Sequence, residues 1–347
     1  MPLSANQLTS CLLGGAVGDS IGLPYEGLST RRSRRMARLP LRHRFIFGHG
    51  MVSDDTDHSI FVAQSLIRSR GDATKFRSCL AWRLRFWLLC LPAGIGLATL
   101  RGIIKLWLGF SNSGVYSAGN GPAMRSAIIG AFFPEDAKAR QTHVAASTLL
   151  THTDPKALAG ALAIAEVAAH LVSQRWLERP PLAEFIQTLQ DISPDPDWNE
   201  AINSLQAALN AADPLAAAQK YFGSRNGISG YVLHSVPFAL AAWYHHFGDY
   251  RSTIEAITQA GGDVDTVAAM AGSLAGISAE HSGIPTEWVD KLNDWPHSTK
   301  YLRSLAAGLA DPAKPVCTSF SPWFFPRGII FTVIVLAHGF RRLLPPY

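Results

Sequence analysis

Apolar residues recur at three- and four-residue spacing along most of this chain, and the alternation expected of strands is scarce. Leu8, Leu12 and Ala16 fall on one face behind a Ser4-x-x-Gln7 capping box, so a helix is predicted from about Ala5. Gly14, Gly15 and Gly18 cost that helix propensity and predict close approach by another backbone. Ile60, Ala63 and Ile67 supply the buried stripe of a second helix, starting at Ser53 or Asp54 and ending near Gly71. Residues 86–100 carry no charge. The run is shorter than the roughly 20 residues a bilayer span needs, and Pro92, Gly94 and Gly96 interrupt it. It reads as two core helices joined by a Pro-Ala-Gly-Ile-Gly turn.

Further helices are predicted over residues 124–133 and 157–171, the second capped by Asp154 with Pro155 in its first turn. Others are predicted over 200–210, 214–221, 231–245 and 252–259. Residues 179–197 read as a peripheral excursion around one short helix, and 223–230 as a flexible link. A small-residue run, 267–276, follows the motif Gly261-Gly262-Asp263-Val264-Asp265-Thr266. No solenoid period is present. The pattern is that of an all-α protein.

Composition adds compartment and core size. At 347 residues, 48% hydrophobic and 16% charged, the chain has material for a large core and no signature of general disorder. Cys11, Cys79, Cys90 and Cys317 form no Cys-x-x-Cys pair. They read as reduced, mostly buried thiols of a cytoplasmic protein, not as a disulfide or zinc scaffold. No basic segment precedes the first apolar run, so no signal peptide is expected.

The net charge of +5 is uneven: Arg31, Arg32, Arg34, Arg35, Arg38, Arg42 and Arg44 crowd one segment. A solvated loop is the plain reading; contact with an acidic partner or polyanion is the sharper one. Without interleaved aromatics, no specific nucleic acid is expected. The tail also differs. Pro312, Pro315 and Pro322 precede Trp323-Phe324-Phe325, and residues 328–340 form an uncharged run of 13 between Arg327 and Arg341-Arg342. A tail packed on the protein or a partner is the favoured reading, with membrane association as the alternative.

Candidate chemistry concentrates in two acidic motifs, Ser53-Asp54-Asp55-Thr56 and the Gly261 to Thr266 stretch. Helix capping and dipole complementation explain each one alone. Together they offer four carboxylates and several hydroxyls, the hard oxygen donors that magnesium or manganese prefer. A binuclear metal site shared by two distant helix starts is predicted. Ser117-Ala118-Gly119-Asn120-Gly121-Pro122 leaves backbone N–H groups free at a helix start, an anion pocket suited to phosphate. A tight turn into the helix is the plainer reading there. For His152, just before Asp154, it is a local hydrogen bonder; for Glu26, in a turn after the first helix, it is a surface glutamate.

In this order the motifs resemble the ADP-ribosylglycohydrolase family. The resembling pieces begin with Gly14-Gly15-Ala16-Val17-Gly18-Asp19-Ser20-Ile21-Gly22, Glu26 and Ser53-Asp54-Asp55-Thr56. They continue with Gly94-Ile95-Gly96, Gly119-Asn120-Gly121-Pro122-Ala123-Met124-Arg125, Thr151-His152 and the Gly261 to Thr266 motif. The match runs over roughly residues 5–280 and extends to about 310, leaving out the arginine cluster and the tail. The resemblance implies an all-α orthogonal multi-helix bundle over 1–310, followed by a Pro-rich, hydrophobic C-terminal tail over 311–347.

It implies two Mg2+ or Mn2+ ions at the base of a cleft. Ser53, Asp54 and Asp55 would hold them on one side, and Asp263, Asp265 and Thr266 on the other. Catalytic roles would fall to Glu26, Asp54 and Asp55. Substrate contacts would come from Ser117, Ala118, Gly119, Asn120 and Gly121, with Met124 and His152. The implied activity removes ADP-ribose from a modified protein side chain, with an arginine-type N-glycosidic linkage preferred. A non-catalytic ADP-ribose binder, or a transferase-blocking protein of the immunity type, is the alternative on the same fold. A hydrolase of free ADP-ribose-linked small molecules is a third. Three positions depart from the family pattern: Ser53 replaces a common threonine, Ala118 an aromatic ring seen in some relatives, and Asp57-His58 a polar-then-methionine pair.

Overall fold

The computed structural model describes residues 3–279 and 283–344; the predicted limits at residues 1, 280 and 347 lie outside them. The first helices are α1 (Ala5–Gly22), α2 (Thr30–Met36), α3 (Asp54–Ser69), α4 (Ala73–Leu89) and α5 (Leu97–Trp107). After the glycine loop come α6 (Ala127–Phe132), α7 (Ala137–Thr148), α8 (Pro155–Val172), α9 (Leu182–Gln190), α10 (Pro196–Leu209) and α11 (Pro214–Phe222). A hairpin of β1 (Gly223–Ser224) and β2 (Gly227–Ile228) precedes α12 (Val232–His245), α13 (Tyr250–Ala260) and α14 (Val264–Ser278). α15 (Thr286–Lys291), α16 (Thr299–Ala310) and α17 (Phe324–Arg341) complete the order.

Local chemistry explains the helix starts. Ser4 Oγ accepts from the Gln7 amide, Ser53 Oγ from Asp55 and Asp154 Oδ1 from Lys156, each filling a donor the helix leaves open. α3 ends at Arg70, which is left-handed at φ 50°, next to Gly71. α10 begins earlier than the apolar pattern suggests because Asp195 caps it and Pro196 opens its first turn.

Two expectations need correction. The link at 223–230 contains the antiparallel hairpin. The arginine cluster is not simply a loop: α2 carries Arg31, Arg32, Arg34 and Arg35. Ser33 Oγ donates to the Thr258 carbonyl at 2.5 Å and Met36 is buried, so one face of α2 docks while the arginines stay outside. The cysteines are all free; Cys11 and Cys90 are buried, Cys79 is half-buried and Cys317 is exposed.

The core is built on the antiparallel crossing of α1 and α14, ringed by α3, α6, α8, α12, α13 and α16. A Cβ on Gly14 would stand 2.2 Å from the Gly272 carbonyl oxygen, and one on Gly18 2.2 Å from that of Ala268. The close approach predicted from the α1 glycines is therefore real, and its partner is the small-residue run after the second acidic motif. The seam brings Gly22 against the backbone of Asp265. Gly14→Val is expected to cost about 3 kcal/mol or more, since neither facing backbone can move aside. Urea unfolding measures it, and a loss under 1 kcal/mol would contradict a rigid seam.

Among the described residues, the tail contains one helix, α17. Arg327, Phe331 and Ile334 of α17 are buried against the body. Phe331 and Ile334 join Leu23, Phe45 and Met51 in a small second core. Arg327 donates to Asp294 Oδ1 at 3.1 Å, Asp294 Oδ2 at 2.7 Å and the Val52 carbonyl at 2.5 Å. It also reaches Asp57 Oδ2 at 3.5 Å, and the Trp87 indole donates to that same oxygen at 3.1 Å. The departure at Asp57 thus has a partner: this carboxylate, one turn into α3, is a counter-ion for the tail.

Candidate metal centre and cleft

The α1–α14 seam brings the two acidic motifs together. Asp19, Asp55 and Asp265 each offer an oxygen within 4.8 Å of the others, and so do Glu26, Asp263 and Asp265. Asp265 belongs to both groups. Asp54 faces the cleft from the α3 start but falls in neither group.

Hydrogen bonds set these carboxylates in place. Asp19 accepts from the Ser53 amide at 2.9 Å and from the Thr56 hydroxyl at 2.5 Å, with the Thr56 amide at 3.3 Å. It therefore absorbs the open donors of the α3 N-terminus. Asp55 Oδ2 accepts from Ser53 Oγ at 2.9 Å and from Thr266 Oγ1 at 3.2 Å, which ties one motif to the other. Asn120 donates from Nδ2 to Asp263 Oδ2 at 2.7 Å. Asp55 Oδ1 and Asp265 Oδ1 are buried with no hydrogen-bond partner. Orphaned carboxylate oxygens are costly to bury and are the atoms a cation would satisfy.

The Gly261-Gly262 turn positions the second motif. Both glycines are left-handed, at φ 75° and 87°. Gly262 donates to the Leu28 carbonyl at 2.8 Å and accepts from Gly27 at 2.8 Å, while Asp263 donates to the Ile228 carbonyl at 2.8 Å. This pins the Glu26–Leu28 segment and the β2 end beside Asp263.

Above the carboxylates lies a cleft of about 330 Å³. Glu26, Ser53, Asp54, Asp263, Asp265 and Thr266 line one side, and Ser117, Gly119, Asn120, Gly121, Met124 and His152 another. Two predicted residues do not line it. Asp55 lies buried beneath the floor. Ala118 packs partly buried against the core, with its carbonyl accepting from Val232 at 2.9 Å.

His152 stands against the glycine loop, its Nε2 3.0 Å from where a Gly119 Cβ would be. Burial, then the Arg125 guanidinium, lowers its pKa to about 3, so the ring is neutral. Arg125 donates to Thr151 Oγ1 at 2.9 Å, and this hydroxyl lies 2.9 Å from His152 Nδ1.

Several wall residues were not singled out from sequence: Leu23, Ala93, Phe331 and Val335. Phe331 and Val335 come from α17, and no local signal in an apolar tail marks a contact so distant in sequence. Asp19 stood inside the glycine-rich resemblance but not among the candidate site residues; an acid within a small-residue helix was the available clue.

The electrostatics are those of crowded anions. Burial raises Asp19 to about 7 despite its hydrogen bonds to Thr56 and Ser53. Burial, then neighbouring carboxylates, pushes Asp54, Asp55 and Asp265 well above the usual range. Glu26 is exposed at the cleft mouth, yet the surrounding walls and then Asp263 raise it to about 7. Each folded-state pKa lies above its unfolded value of about 4. In chelator, the cluster's own contribution to stability is therefore fully present below about pH 4 and lost as pH rises through about 7. In EDTA, the rise in thermal midpoint given by Asp265→Ala should therefore grow between about pH 5 and about pH 8, and a difference that shrinks would refute unrelieved repulsion in the cluster.

Comparison with known proteins agrees with this architecture. The ADP-ribosylglycohydrolase family model matches residues 2–317. ADP-ribosyl-[dinitrogen reductase] glycohydrolase of Rhodospirillum rubrum is 25% identical, over 84% of this chain and 92% of its own. ADP-ribosylarginine hydrolase Tri1 of Pseudomonas putida is 27% identical, over 88% and 78% respectively. A solved structure described as an ADP-ribosylglycohydrolase-related protein complex superposes with a TM-score of 0.65 at 21% identity, covering 88% of this chain and 97% of that one, a likeness of fold. The class is thus an all-α hydrolase acting on ADP-ribose linkages. The chain belongs to the ADP-ribosylglycohydrolase family. α17 lies beyond the span that the family model matches.

Proposed function

We propose that this protein is a metal-dependent hydrolase that releases ADP-ribose from a modified protein side chain, with an arginine-type N-glycosidic linkage as preferred substrate. The carrying observation is the pair of buried, unpartnered oxygens, Asp55 Oδ1 and Asp265 Oδ1, within two three-carboxylate groups under the cleft. A pure binder of an anionic ligand gains nothing from such a floor. The donor set is all oxygen and suits Mg2+ or Mn2+. Asp55 and Asp265, with Asp263 and Asp19, would hold two ions, and Asp54, Ser53 and Thr266 would complete the set. Bound there, the ions supply charge that orients the ribose hydroxyls and makes a water nucleophile accessible near neutral pH.

The chain's own groups do the remaining work. Cleavage at the ribose anomeric carbon builds positive character on the sugar, and the carboxylates around it stabilise that charge. Glu26, at the cleft mouth beside Asp263, is the carboxylate placed for general acid or base duty. The Asn120 N–H donates to the Gly230 carbonyl at 3.0 Å, so the backbone N–H groups of Gly119 and Gly121 are the ones that would serve the diphosphate. Neutral His152 offers a hydrogen bond there without adding charge. Asn120 fixes the rotamer of Asp263.

The arginine preference is supported by a Pseudomonas putida relative, 27% identical, that is named an ADP-ribosylarginine hydrolase. Incubation with arginine-ADP-ribosylated protein and Mg2+ should release free ADP-ribose, and chelation should stop it. Tight ADP-ribose binding with no release from arginine-, serine- or small-molecule-linked substrates would favour the binder instead.

A further inference from the structure

α17 has two unlike faces. The inner one carries Arg327, Phe331 and Ile334 into the body. The outer one consists of Phe325, Ile329, Ile330, Val333, Leu336 and Phe340, each 44–67% exposed. At helical spacing these six span an arc of about 140° with no polar side chain inside it. A helix on a water-facing surface normally turns charge outward, so an apolar arc of this width marks a contact surface.

The apolar surface continues past the helix. Gly328 packs directly on the Cys90 carbonyl, where a Cβ would stand 2.1 Å from the oxygen. That contact brings the first turns of α17 to the end of α4, where Leu89 and Leu91 are exposed. Behind them Trp82 and Trp107 pack against Phe86 at 5.8 and 6.3 Å between ring centroids.

At its other end α17 meets the arginine cluster. Arg35, Arg38, Arg42, Arg44 and Arg251 line a groove of about 880 Å³ with Arg341. Arg32 donates to the Arg342 carbonyl at 2.9 Å, joining α2 to the helix end. No Asp or Glu occurs between Glu26 and Asp54, and none follows Asp311. Among the described residues, no carboxylate lies within ion-pair distance of Arg31, Arg32, Arg34, Arg35, Arg38, Arg42 or Arg44. The acid in the groove, Glu287, pairs with Arg251.

We propose that this composite face docks the protein on an anionic phospholipid bilayer. α17 lies in the interfacial plane with its apolar arc toward the acyl chains, and acidic headgroups fill the arginine groove. A polyanion alone would leave the apolar arc wet. A second copy would bring the same positive cluster and no acidic complement. A lipid surface supplies negative charge and hydrocarbon within one contact, the pairing that amphipathic basic elements use. The exposed tryptophans fit the headgroup level. The helix lies on the bilayer and does not cross it, because Arg327 and the inner apolar residues stay packed in the protein. This inference does not depend on the hydrolase reading.

Flotation of the full chain tests it with phosphatidylcholine vesicles, with and without phosphatidylglycerol. Binding is expected only with phosphatidylglycerol and should weaken as salt shortens the screening length. Val333→Glu with Leu336→Glu should lower partitioning about tenfold or more, and so should Arg35→Glu with Arg38→Glu. All four positions are exposed, so unchanged circular dichroism and thermal midpoint should accompany the loss. Three results would overturn the proposal: no flotation with either vesicle, equal flotation with both, or a solution dimer that Val333→Glu dissociates while vesicle binding stays absent.

Discussion

Arg327→Met is expected to lower unfolding free energy by about 3–5 kcal/mol, the usual cost of stranding buried charge. The guanidinium is buried, holds both oxygens of Asp294 and reaches Asp57. Burial disfavours its charge, but the two carboxylates more than compensate and raise its pKa. Methionine fills similar volume without the charge, so the loss reports stranded anions and not a cavity. Asp294 keeps the Val52 amide at 3.0 Å, and Asp57 keeps Trp87 and a 3.4 Å contact with His297. Those partners temper the loss without replacing a cation. Urea unfolding should show a lower midpoint with an unchanged slope. Adding Asp57→Asn should recover part of the loss, because the stranded charge is then removed. A drop below 1 kcal/mol would mean the pair behaves like a surface contact and does not anchor α17.

Asp265→Ala should reduce kcat/KM by at least about a hundredfold, beyond the 10–100-fold typical of residues one step removed from a metal. Asp265 is shared by both carboxylate groups, so its loss leaves each with two members. The same change should have the opposite sign on stability in chelator. Removing one of several mutually repelling buried carboxylates relieves the metal-free fold, and the thermal midpoint in EDTA should rise. The stabilising response to added Mg2+ or Mn2+ should shrink, since binding energy to the native state sets that shift. Asp54→Ala provides the comparison from the other motif. Release of ADP-ribose that survives both substitutions would end the metal-dependent reading. A midpoint in EDTA that falls with Asp265→Ala would show that this side chain stabilises the fold by some route other than metal binding.

Much of this was legible because it is local. Ser4, Ser53 and Asp154 announce helix starts through donors they alone can fill. Gly14 and Gly18 announce a backbone contact because no other reason justifies glycine inside that apolar stripe. The acidic motifs stand out because clustered carboxylates at a helix start, in one case behind two glycines, are poor helix interior and good ligands. The illegible parts depend on partners far away in sequence. Asp57 looked like a departure from pattern until Arg327, 270 residues later, supplied its cation. Arginines in 31–44 read as loop because nothing near them revealed that Ser33 and Met36 dock on α13. The tail's apolar run did not reveal which residues face the cleft, since Phe331 and Val335 acquire that role only through the contacts of α17.

The seam between α1 and α14 works as a ruler. Gly14 against Gly272, Gly18 against Ala268 and Gly22 against Asp265 are successive graduations along it. Loops around the cleft can therefore lengthen or diverge without changing how far Asp19 stands from Asp265. Inserting one residue between Gly14 and Asp19 would rotate everything downstream by about 100° and misalign the scale. Innovation in this protein is thus free at the rim and forbidden along the axis.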